Sequence, residues 1–188
     1  MQRPGVWKLI AEDRRTQREG LWAQGFWALA VHRLSHRRLA LGSAALRKIC
    51  APLTKAATKW MEMTCGISLP EGVTIGRRLR IEHSGGVVVH SAAVIGDDCL
   101  IRHGVTLGNR SEQRPHEAPV LGNGVQVWAG AMILGAVHIG DGAVIGANAV
   151  VMIDVPAGAV AAGNPARIVR QPSGVNAPSG QGSAQSAA

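Results

Sequence analysis

Large aromatic side chains are scarce in this sequence, which has no tyrosine, one phenylalanine and five tryptophans among 188 residues. A globular core usually draws much of its buried area from such rings. The core of this protein must therefore be built from valine, isoleucine, leucine and alanine. The hydrophobic content of 46% is too high for a wholly disordered chain. Together these figures predict a folded protein with a narrow aliphatic interior.

Cysteine is also sparse, and its three residues (positions 50, 65 and 99) form no CxxC pair. The odd number argues against a disulfide scaffold and favours inert thiols in a reducing compartment. The N-terminus lacks the long apolar run of a secretory signal, so we expect a cytoplasmic protein. Residues 118–140 carry no Asp, Glu, Lys or Arg, but their glycines and their six-residue period argue against a membrane span.

The charge is distributed unevenly along the chain. The formal net charge is +8 at pH 7, and residues 1–64 carry all of it, with 12 basic and 4 acidic residues. Apolar residues recur there at helical spacing, and Gly20 and Gly42 predict breaks between three short helices, with Pro52 kinking the third or starting another. A basic helix face that is solvated or that lies over a partner subunit is the favoured interpretation, and weak contact with an anionic membrane surface comes second. We expect no nucleic-acid partner, because no nucleic-acid motif accompanies the charge.

A six-residue repeat occupies the rest of the chain. Aliphatic residues mark it at Ile75, Ile81, Val87, Ile95, Ile101, Leu107, Leu121, Val127, Ile133, Ile139, Ile145 and Val151. A small or apolar residue follows four positions later, at Leu79, Gly85, Ser91, Cys99, Val105, Ser111, Val125, Ala131, Val137, Ala143, Ala149 and Val155. One hexapeptide is a short strand with a corner, and it buries its apolar side only against neighbouring repeats.

Three hexapeptides form one triangular coil, and stacked coils place equivalent positions about 4.8 Å apart. The repeat therefore predicts a mainly β protein, a solenoid of parallel strands. Val87 to Ile95 spans eight residues, which predicts two extra residues at that corner. Leu107 to Leu121 spans fourteen, which predicts an eight-residue insertion at 109–116, and such loops often carry function. The uncharged tail at 171–188 is predicted to be disordered.

Glu82 and His83, in the sequence Ile81-Glu82-His83-Ser84-Gly85-Gly86, form the most suggestive chemical pair. Histidine is suited to general-base catalysis because its ordinary pKa lies near working pH. The carboxylate of Glu82 would fix the tautomer of the ring or stabilise its protonated form. A surface histidine on a solenoid corner would have the same pattern. Ser84 is a weak candidate for a nucleophile.

His83 and His103 occupy the third position of their hexapeptides, so we expect them to stack on successive coils at about one strand spacing. His90 at the next corner and His116 in the insertion are further candidates for substrate contact, together with Asn109. Two histidines without a clear third ligand make a poor metal site, and no metal is expected.

Three segments carry a resemblance to the serine O-acetyltransferases, a family of hexapeptide-repeat acyltransferases. The segment similar to their catalytic coil is IEHSGGVVVHSAAVIGDDCLIRHGVTLGN. The segment similar to their closing coils is GAVIGANAVVMIDVPAGAVAAGNPARIVR, and the segment similar to the helix before the repeats is GFWALAVHRLSH. The resemblance implies a left-handed parallel β-helix at residues 66–170, preceded by a basic helical region at 1–65. It also implies direct transfer of acetyl from acetyl-CoA to the hydroxyl of L-serine or a similar small acceptor, as in cysteine biosynthesis. His83 takes the place of the catalytic base, and Glu82 stands where an aspartate is usual.

The same resemblance implies a homotrimer with active sites between subunits and with CoA along the edge of the β-helix. The residues that it implies for CoA contact are Gly108, Ala129, Gly130, Ala147, Asn148 and Arg167. Small residues at tight corners would explain Ala129 and Gly130 without any ligand.

Three positions depart from the family pattern. The serine-binding enzymes have Gly-Glu where this chain has His90-Ser91, and Gly-Gly-Thr-Gly where it has Gly108-Asn109-Arg110-Ser111. They also have a histidine directly before the proline of the next coil, where this chain has Ala118. These positions contact the amino-acid acceptor in the family. The departures favour, as the alternative, an O-acetyltransferase of the same fold that acts on sugars of exported polysaccharides.

Two interpretations from other classes stay open. A metal-dependent β-helix enzyme of the γ-carbonic-anhydrase kind would need three converging histidine ligands. A solenoid that only binds or assembles would have no need of the eight-residue insertion.

Overall fold

Three α-helices precede a solenoid of short β-strands in the computed structural model, which describes residues 5–83 and 85–171. The helices are α1 (Val6–Thr16), α2 (Gln24–Leu39) and α3 (Ala44–Cys65), and a 3-10 turn at Gly20–Trp22 joins the first two. The strands are β1 (Ile67–Ser68), β2 (Thr74–Ile75), β3 (Arg80–Glu82), β4 (Val87–Val89), β5 (Val94–Ile95), β6 (Leu100–Arg102), β7 (Thr106–Gly108), β8 (Val120–Leu121), β9 (Gln126–Val127), β10 (Met132–Leu134), β11 (His138–Ile139), β12 (Val144–Ile145), β13 (Val150–Val151), β14 (Val160–Gly163) and β15 (Ala166–Arg170). Ser84 and all of the predicted tail except Gln171 lie outside the described residues.

The strands form three sheets, and successive coils add one strand to each. The first sheet has the order β1-β4-β7-β10-β13, the second β11-β8-β5-β2 and the third β15-β14-β12-β9-β6-β3. Neighbouring strands are parallel except for the final β14–β15 pair, which is antiparallel. The predicted parallel β-solenoid is therefore confirmed.

The interior of the solenoid is aliphatic, as the scarcity of rings predicts. Ile81, Ile101, Val127 and Ile145 stack as one column, and each is at most 4% exposed. Leu29 of α2 joins the same hydrophobic cluster and is fully buried. This helix therefore closes the first coil.

The position of the two extra residues was predicted incorrectly. Val89 pairs with Leu107, so Val89 rather than Val87 fills the first position of its repeat. The extra residues consequently lie between Glu82 and Val87, at the corner of His83, instead of between Val87 and Ile95. Val87 and Val89 are both buried and aliphatic, so a shift of two residues leaves the hydrophobic pattern nearly unchanged.

This shift and the eight-residue insertion change three of the small inner positions that the sequence assigned, and the insertion accounts for the change at Ser111. The buried residues at these levels are Val87 instead of Gly85, Ala93 instead of Ser91, and Pro119 instead of Ser111. Ser91 is exposed, and Ser111 is half-buried within the insertion.

The three predicted helices are confirmed, and the breaks fall close to Gly20 and Gly42. Ser43 caps α3 by accepting the N–H of Leu46 (3.4 Å), and Gly66 ends it in the left-handed conformation (φ 63°). Pro52 lies inside α3, and the helix continues through it. None of the described helices is both long and apolar enough to cross a membrane.

A buried ion pair connects the helices to the solenoid. Arg33 of α2 donates to Asp13 of α1 (2.9 and 3.3 Å), and it also donates to the carbonyl groups of Ile75 (2.7 Å) and Gly76 (2.5 Å). Arg33 is 6% exposed and Asp13 is fully buried. Burial raises the pKa of Asp13 more than its hydrogen bonds to Arg33 lower it. One guanidinium group thus joins α1, α2 and the first coil.

Stability should fall on mild acidification because of a second buried group, His32 of α2. Burial, with the nearby positive charge of Arg33, lowers the pKa of His32 to about 3. The unfolded chain, with a histidine pKa near 6.5, binds the proton more tightly than the folded protein. Stability present at pH 7 is therefore lost as the pH falls below about 6.5, by about 2 kcal/mol at pH 5.

Urea unfolding of the wild type and of His32→Gln at pH 7 and pH 5 checks this effect. The variant should lose about 2 kcal/mol less than the wild type over that interval. Equal pH dependence of the two proteins would contradict it.

Candidate active site

The candidate site begins at the corner that follows β3. His83 has a left-handed backbone (φ 56°) and an exposed side chain. Residues other than glycine are uncommon in this conformation, and they collect at functional sites. The two extra residues of this coil lie at the same corner. A left-handed backbone also occurs at other corners of this solenoid, at Arg78, Asp98 and Asn148, so the two extra residues are what sets the corner of His83 apart.

His103 lies on the next coil above His83, as the repeat predicts. The two ring centroids are 6.1 Å apart, and the rings meet edge to face. The predicted stacking is confirmed, and the separation exceeds a strand spacing because the corner of His83 bulges. Both side chains are exposed, so a substrate can reach either imidazole.

Glu82 is surrounded by arginines. Its carboxylate lies 3.1 Å from Arg18, 3.1 Å from Arg80 and 3.4 Å from Arg102, and the residue is 8% exposed. Neither oxygen meets hydrogen-bond geometry with these groups, and the Nε atoms of Arg80 and Arg102 also lack a partner among the described residues. These groups are therefore held together by their charges rather than by aligned hydrogen bonds.

The arginine cluster makes this part of the surface positive. Three guanidinium groups face a single carboxylate, so the cluster of Arg18, Arg80, Arg102 and Glu82 carries a formal charge of +2. Arg102 also lies over the ring of Trp128, 4.0 Å from its centroid. Trp128 belongs to the next coil, directly before Ala129. Negative charge that develops near His83 would be stabilised here.

A cavity of about 390 Å³ opens beside His83. Its walls come from the segment between α1 and α2 and from the corner of His83, and they include Arg18, Trp22, Glu82 and His83. The side chain of Trp22 is 89% exposed. The volume of the cavity lies within the range of small-molecule sites, about 300–1,000 Å³. A helical element and a solenoid corner thus share one candidate substrate pocket.

Two contacts fix the helical wall of this cavity against β3. The Gln17 side chain donates to the Leu79 carbonyl (2.9 Å) and accepts from the Ile81 N–H (3.3 Å), and the residue is 4% exposed. A side-chain carbon at Gly25 would lie 2.8 Å from Cβ of Ile81, so α2 approaches the strand as closely as glycine allows. The buried contacts of Gln17 and Gly25 therefore hold Trp22 and Arg18 beside the corner of His83.

The other predicted substrate contacts lie apart from this pair in the single chain. His90 accepts the N–H of Ala92 (3.2 Å) in its own turn, and Asn109 donates to the Ser111 carbonyl (3.0 Å). His116 is exposed in the insertion. In the described part of the chain no hydrogen bond or ring contact joins any of these three residues to His83.

The residues proposed for CoA line successive corners of the coils. Gly130 donates its N–H to the His103 carbonyl (2.9 Å), and Asn148 donates to the Ala129 carbonyl (2.9 Å). Gly130 (φ 72°) and Asn148 (φ 55°) are both left-handed, and a side-chain carbon at Gly130 would overlap Asn148. The corner above His103 is thus built from small residues. Ala147 and Arg167 are exposed, and Gly108 is half-buried on β7.

Sequence reasoning missed five candidate site residues: Arg18, Trp22, Arg80, Arg102 and Trp128. The repeat alone carried a usable signal for Arg102 and Trp128, because both occupy the outward position next to the histidine column. Nothing in the sequence connects Arg18 or Trp22 to a corner 60 residues away. Among residues 5–83 and 85–171, no group of three His, Cys, Asp or Glu side chains converges as a metal site would require.

Comparison with known proteins adds independent evidence. Residues 118–152 match the family described as bacterial transferase hexapeptide (six repeats). The serine acetyltransferase of Helicobacter pylori is 41% identical over 145 residues, which cover 77% of this chain and 81% of that protein.

Solved structures with the same fold include soybean serine acetyltransferase complexed with serine. It has a TM-score of 0.79 and 35% identity, and the match covers 89% of this chain and 70% of that one. The serine acetyltransferase of Brucella abortus in complex with coenzyme A has a TM-score of 0.79 and 29% identity, over 88% of this chain and 68% of that one.

Proposed function

The chain belongs to the serine acetyltransferase family, and on that premise we propose that it transfers acetyl from acetyl-CoA to the hydroxyl of L-serine or a similar small acceptor. The observation that carries the site assignment is a pair of exposed histidines, of which His83 lines a cavity and His103 meets the ring of His83 edge to face. An acceptor in that cavity lies within reach of a general base. The relatives named above indicate acetyl-CoA as the donor, because one of them was solved in complex with coenzyme A.

The proposed reaction is a direct transfer of acetyl through a single tetrahedral intermediate. His83 removes the proton from the acceptor hydroxyl as its oxygen attacks the thioester carbonyl of acetyl-CoA. The carbon–sulfur bond then breaks, and the proton passes from the imidazolium of His83 to the CoA thiolate. The products are the acetyl ester and CoA. No covalent acetyl-enzyme is needed, so Ser84 has no role in this scheme.

The arginine cluster stabilises the negative charges that form during this reaction. An oxyanion forms on the carbonyl oxygen, and a thiolate forms when CoA leaves; both are anionic. Arg18, Arg80 and Arg102 place positive charge beside His83 and stabilise such groups. Glu82 holds these guanidinium groups together. Its direct action on the tautomer of His83 stays a prediction, because the contacts of its carboxylate are to arginine.

We place the pantetheine arm of CoA along the corners above His103. The small residues Ala129, Gly130, Ala147 and Asn148 leave room there for an extended chain, and Gly108 lies on the coil below. Arg167, exposed on β15, is suited to a phosphate of the nucleotide.

We further propose a homotrimer. The outer face of the five-stranded sheet is uncharged, and its outward residues are Ser68, Val88, Thr106, Met132 and Val150. Val88 is 48% exposed and Met132 is 43% exposed. Exposed aliphatic residues without charge are typical of a subunit interface. A neighbouring subunit on this face would complete the CoA groove.

A reducing cytoplasmic compartment is consistent with the thiols, because Cys50, Cys65 and Cys99 are all free. With L-serine as acceptor, the product would enter cysteine biosynthesis.

A saccharide acceptor is the second candidate, and Trp22 favours it. Its exposed indole forms one wall of the cavity, and sugar rings pack their C–H faces against such platforms. The cavity of about 390 Å³ also exceeds the needs of a single amino acid.

A thiol-release assay with acetyl-CoA tests the proposed function and distinguishes the acceptors. The panel consists of L-serine, L-homoserine and simple sugars, including methyl glycosides. Acetyl-CoA should be consumed with at least one member well above the hydrolysis rate without acceptor. Background rates with every member would contradict the proposed function.

Trp22→Ala then separates the two candidates. With a sugar acceptor, loss of the platform should reduce kcat/KM about tenfold, since such stacking contributes on the order of 1 kcal/mol. With L-serine as acceptor the change should be less than twofold. Trp7→Ala is the matched control, because Trp7 is 73% exposed and is not part of the cavity wall.

A further inference from the structure

Helix α3 exposes an apolar stripe that no other described part of the chain covers. None of its 22 residues is buried. The stripe consists of Leu46 (51% exposed), Ile49 (71%), Leu53 (73%), Trp60 (63%) and Met63 (80%). Their separations of three, four, seven and three residues place them on one side of the helix. A stripe of this length, about 26 Å, is more than scattered surface hydrophobicity.

A row of lysines borders this stripe. Lys48, Lys55 and Lys59 are separated by seven and four residues, so they share one side of α3, next to the apolar one. All three are exposed, and only Lys59 has an ion pair within the described chain, with Glu62 (2.9 Å). Lysine stems can lie along an apolar surface while the ammonium group reaches outward.

The charge of α3 decides between two occupants of the stripe. Four basic residues and one acidic residue give the helix a formal charge of +3. A second copy related by a twofold axis would bring another α3 with the same charge against the stripe, and the lysine rows would repel each other. An anionic lipid surface satisfies both features, because it buries the apolar side chains and attracts the lysines. Trp60 suits the boundary between headgroups and acyl chains.

We propose that α3 is a membrane-binding helix that lies in the interface of an anionic bilayer, with its apolar stripe in the acyl region and Lys48, Lys55 and Lys59 at the phosphates. This inference does not depend on the acyl acceptor. It positions the enzyme at a membrane surface.

Sedimentation of the full-length protein with vesicles tests the proposal. The vesicles contain equal parts of phosphatidylglycerol and phosphatidylcholine, or phosphatidylcholine alone. The wild type should pellet with the anionic vesicles at low salt and stay in the supernatant with the neutral ones. The double variant Ile49→Glu/Trp60→Glu should lose at least tenfold in partitioning. High salt should weaken the binding of the wild type because it screens the lysines.

Val169→Glu is the matched control, because Val169 is 63% exposed on β15, as Trp60 is on α3. This variant should pellet like the wild type, and both variants should keep the thiol-release activity and the circular dichroism of the wild type. A wild type that stays in the supernatant with anionic vesicles overturns the proposal, as does a double variant that pellets undiminished. If the wild type does not bind vesicles and light scattering shows a smaller oligomer for the double variant than for the wild type, the stripe is a contact with a second copy.

Discussion

Replacing His83 by alanine should reduce kcat for thiol release by about 10²- to 10⁴-fold, the usual contribution of a positioned general base. The imidazole is the only group that the proposed reaction uses to take the proton from the acceptor hydroxyl. KM for acetyl-CoA should change little, because the pantetheine arm is placed on the corners above. The measurement is a steady-state thiol-release assay at saturating acetyl-CoA, with whichever acceptor the panel identifies.

His138→Ala is the control for this substitution. His138 is also an exposed histidine of the solenoid, on β11, where it lies 4.0 Å from Asp154 and away from the cavity wall. This variant should keep at least half of the wild-type kcat. Full activity of His83→Ala, with unchanged circular dichroism, would refute the role of His83 as general base. Loss of structure in His83→Ala is not expected, because the side chain is exposed.

Arg33→Met should lower the free energy of unfolding by about 3–5 kcal/mol, the usual cost of removing one partner of a buried ion pair. The substitution leaves Asp13 buried without its cation, and it leaves the carbonyl groups of Ile75 and Gly76 without their donor. Methionine retains much of the volume, so the loss reflects electrostatics and hydrogen bonding more than packing. Urea unfolding at pH 7, followed by circular dichroism, measures the effect.

Two further variants make this result specific. Arg37→Met changes an exposed arginine on the same helix, and it should shift stability by less than about 0.5 kcal/mol. The double variant Asp13→Leu/Arg33→Met removes the stranded carboxylate, so it should recover more than half of the loss. If Arg33→Met unfolds at the same urea concentration as Arg37→Met, the pair does not anchor the helices.

The solenoid was predictable because its signal is repeated. Each coil must bury the same positions, so a wrong assignment at one corner is outweighed by the correct ones at the others. The six-residue spacing was therefore enough to predict the aliphatic columns. The register of Val87 and Val89 was the exception. Both side chains point inward, so the pattern alone does not decide which of them occupies the first position. Only the pairing of Val89 with Leu107 decides it.

The candidate site was predictable only where the repeat reaches it. His83 and His103 share a repeat position, and their contact followed from the register. Arg18 and Trp22 contact the same corner through the folding of α1 and α2 back onto β3. That placement depends on Gln17, Gly25 and the Asp13–Arg33 pair, none of which has a periodic signature. The charge of the N-terminal region predicted a basic surface. In the structure some of these basic residues lie beside the cavity and others lie on α3.

The ends of the solenoid determine how copies of the protein can associate. A stack of parallel coils presents open strand edges at both ends, and such edges promote end-to-end polymerisation into fibres. At the last coil β15 turns back antiparallel on β14, so the edge of that sheet cannot template another parallel coil. At the first coil, α2 covers the core with Leu29. Longitudinal growth is thereby discouraged, and the outer faces of the sheets stay open to the proposed trimer contact.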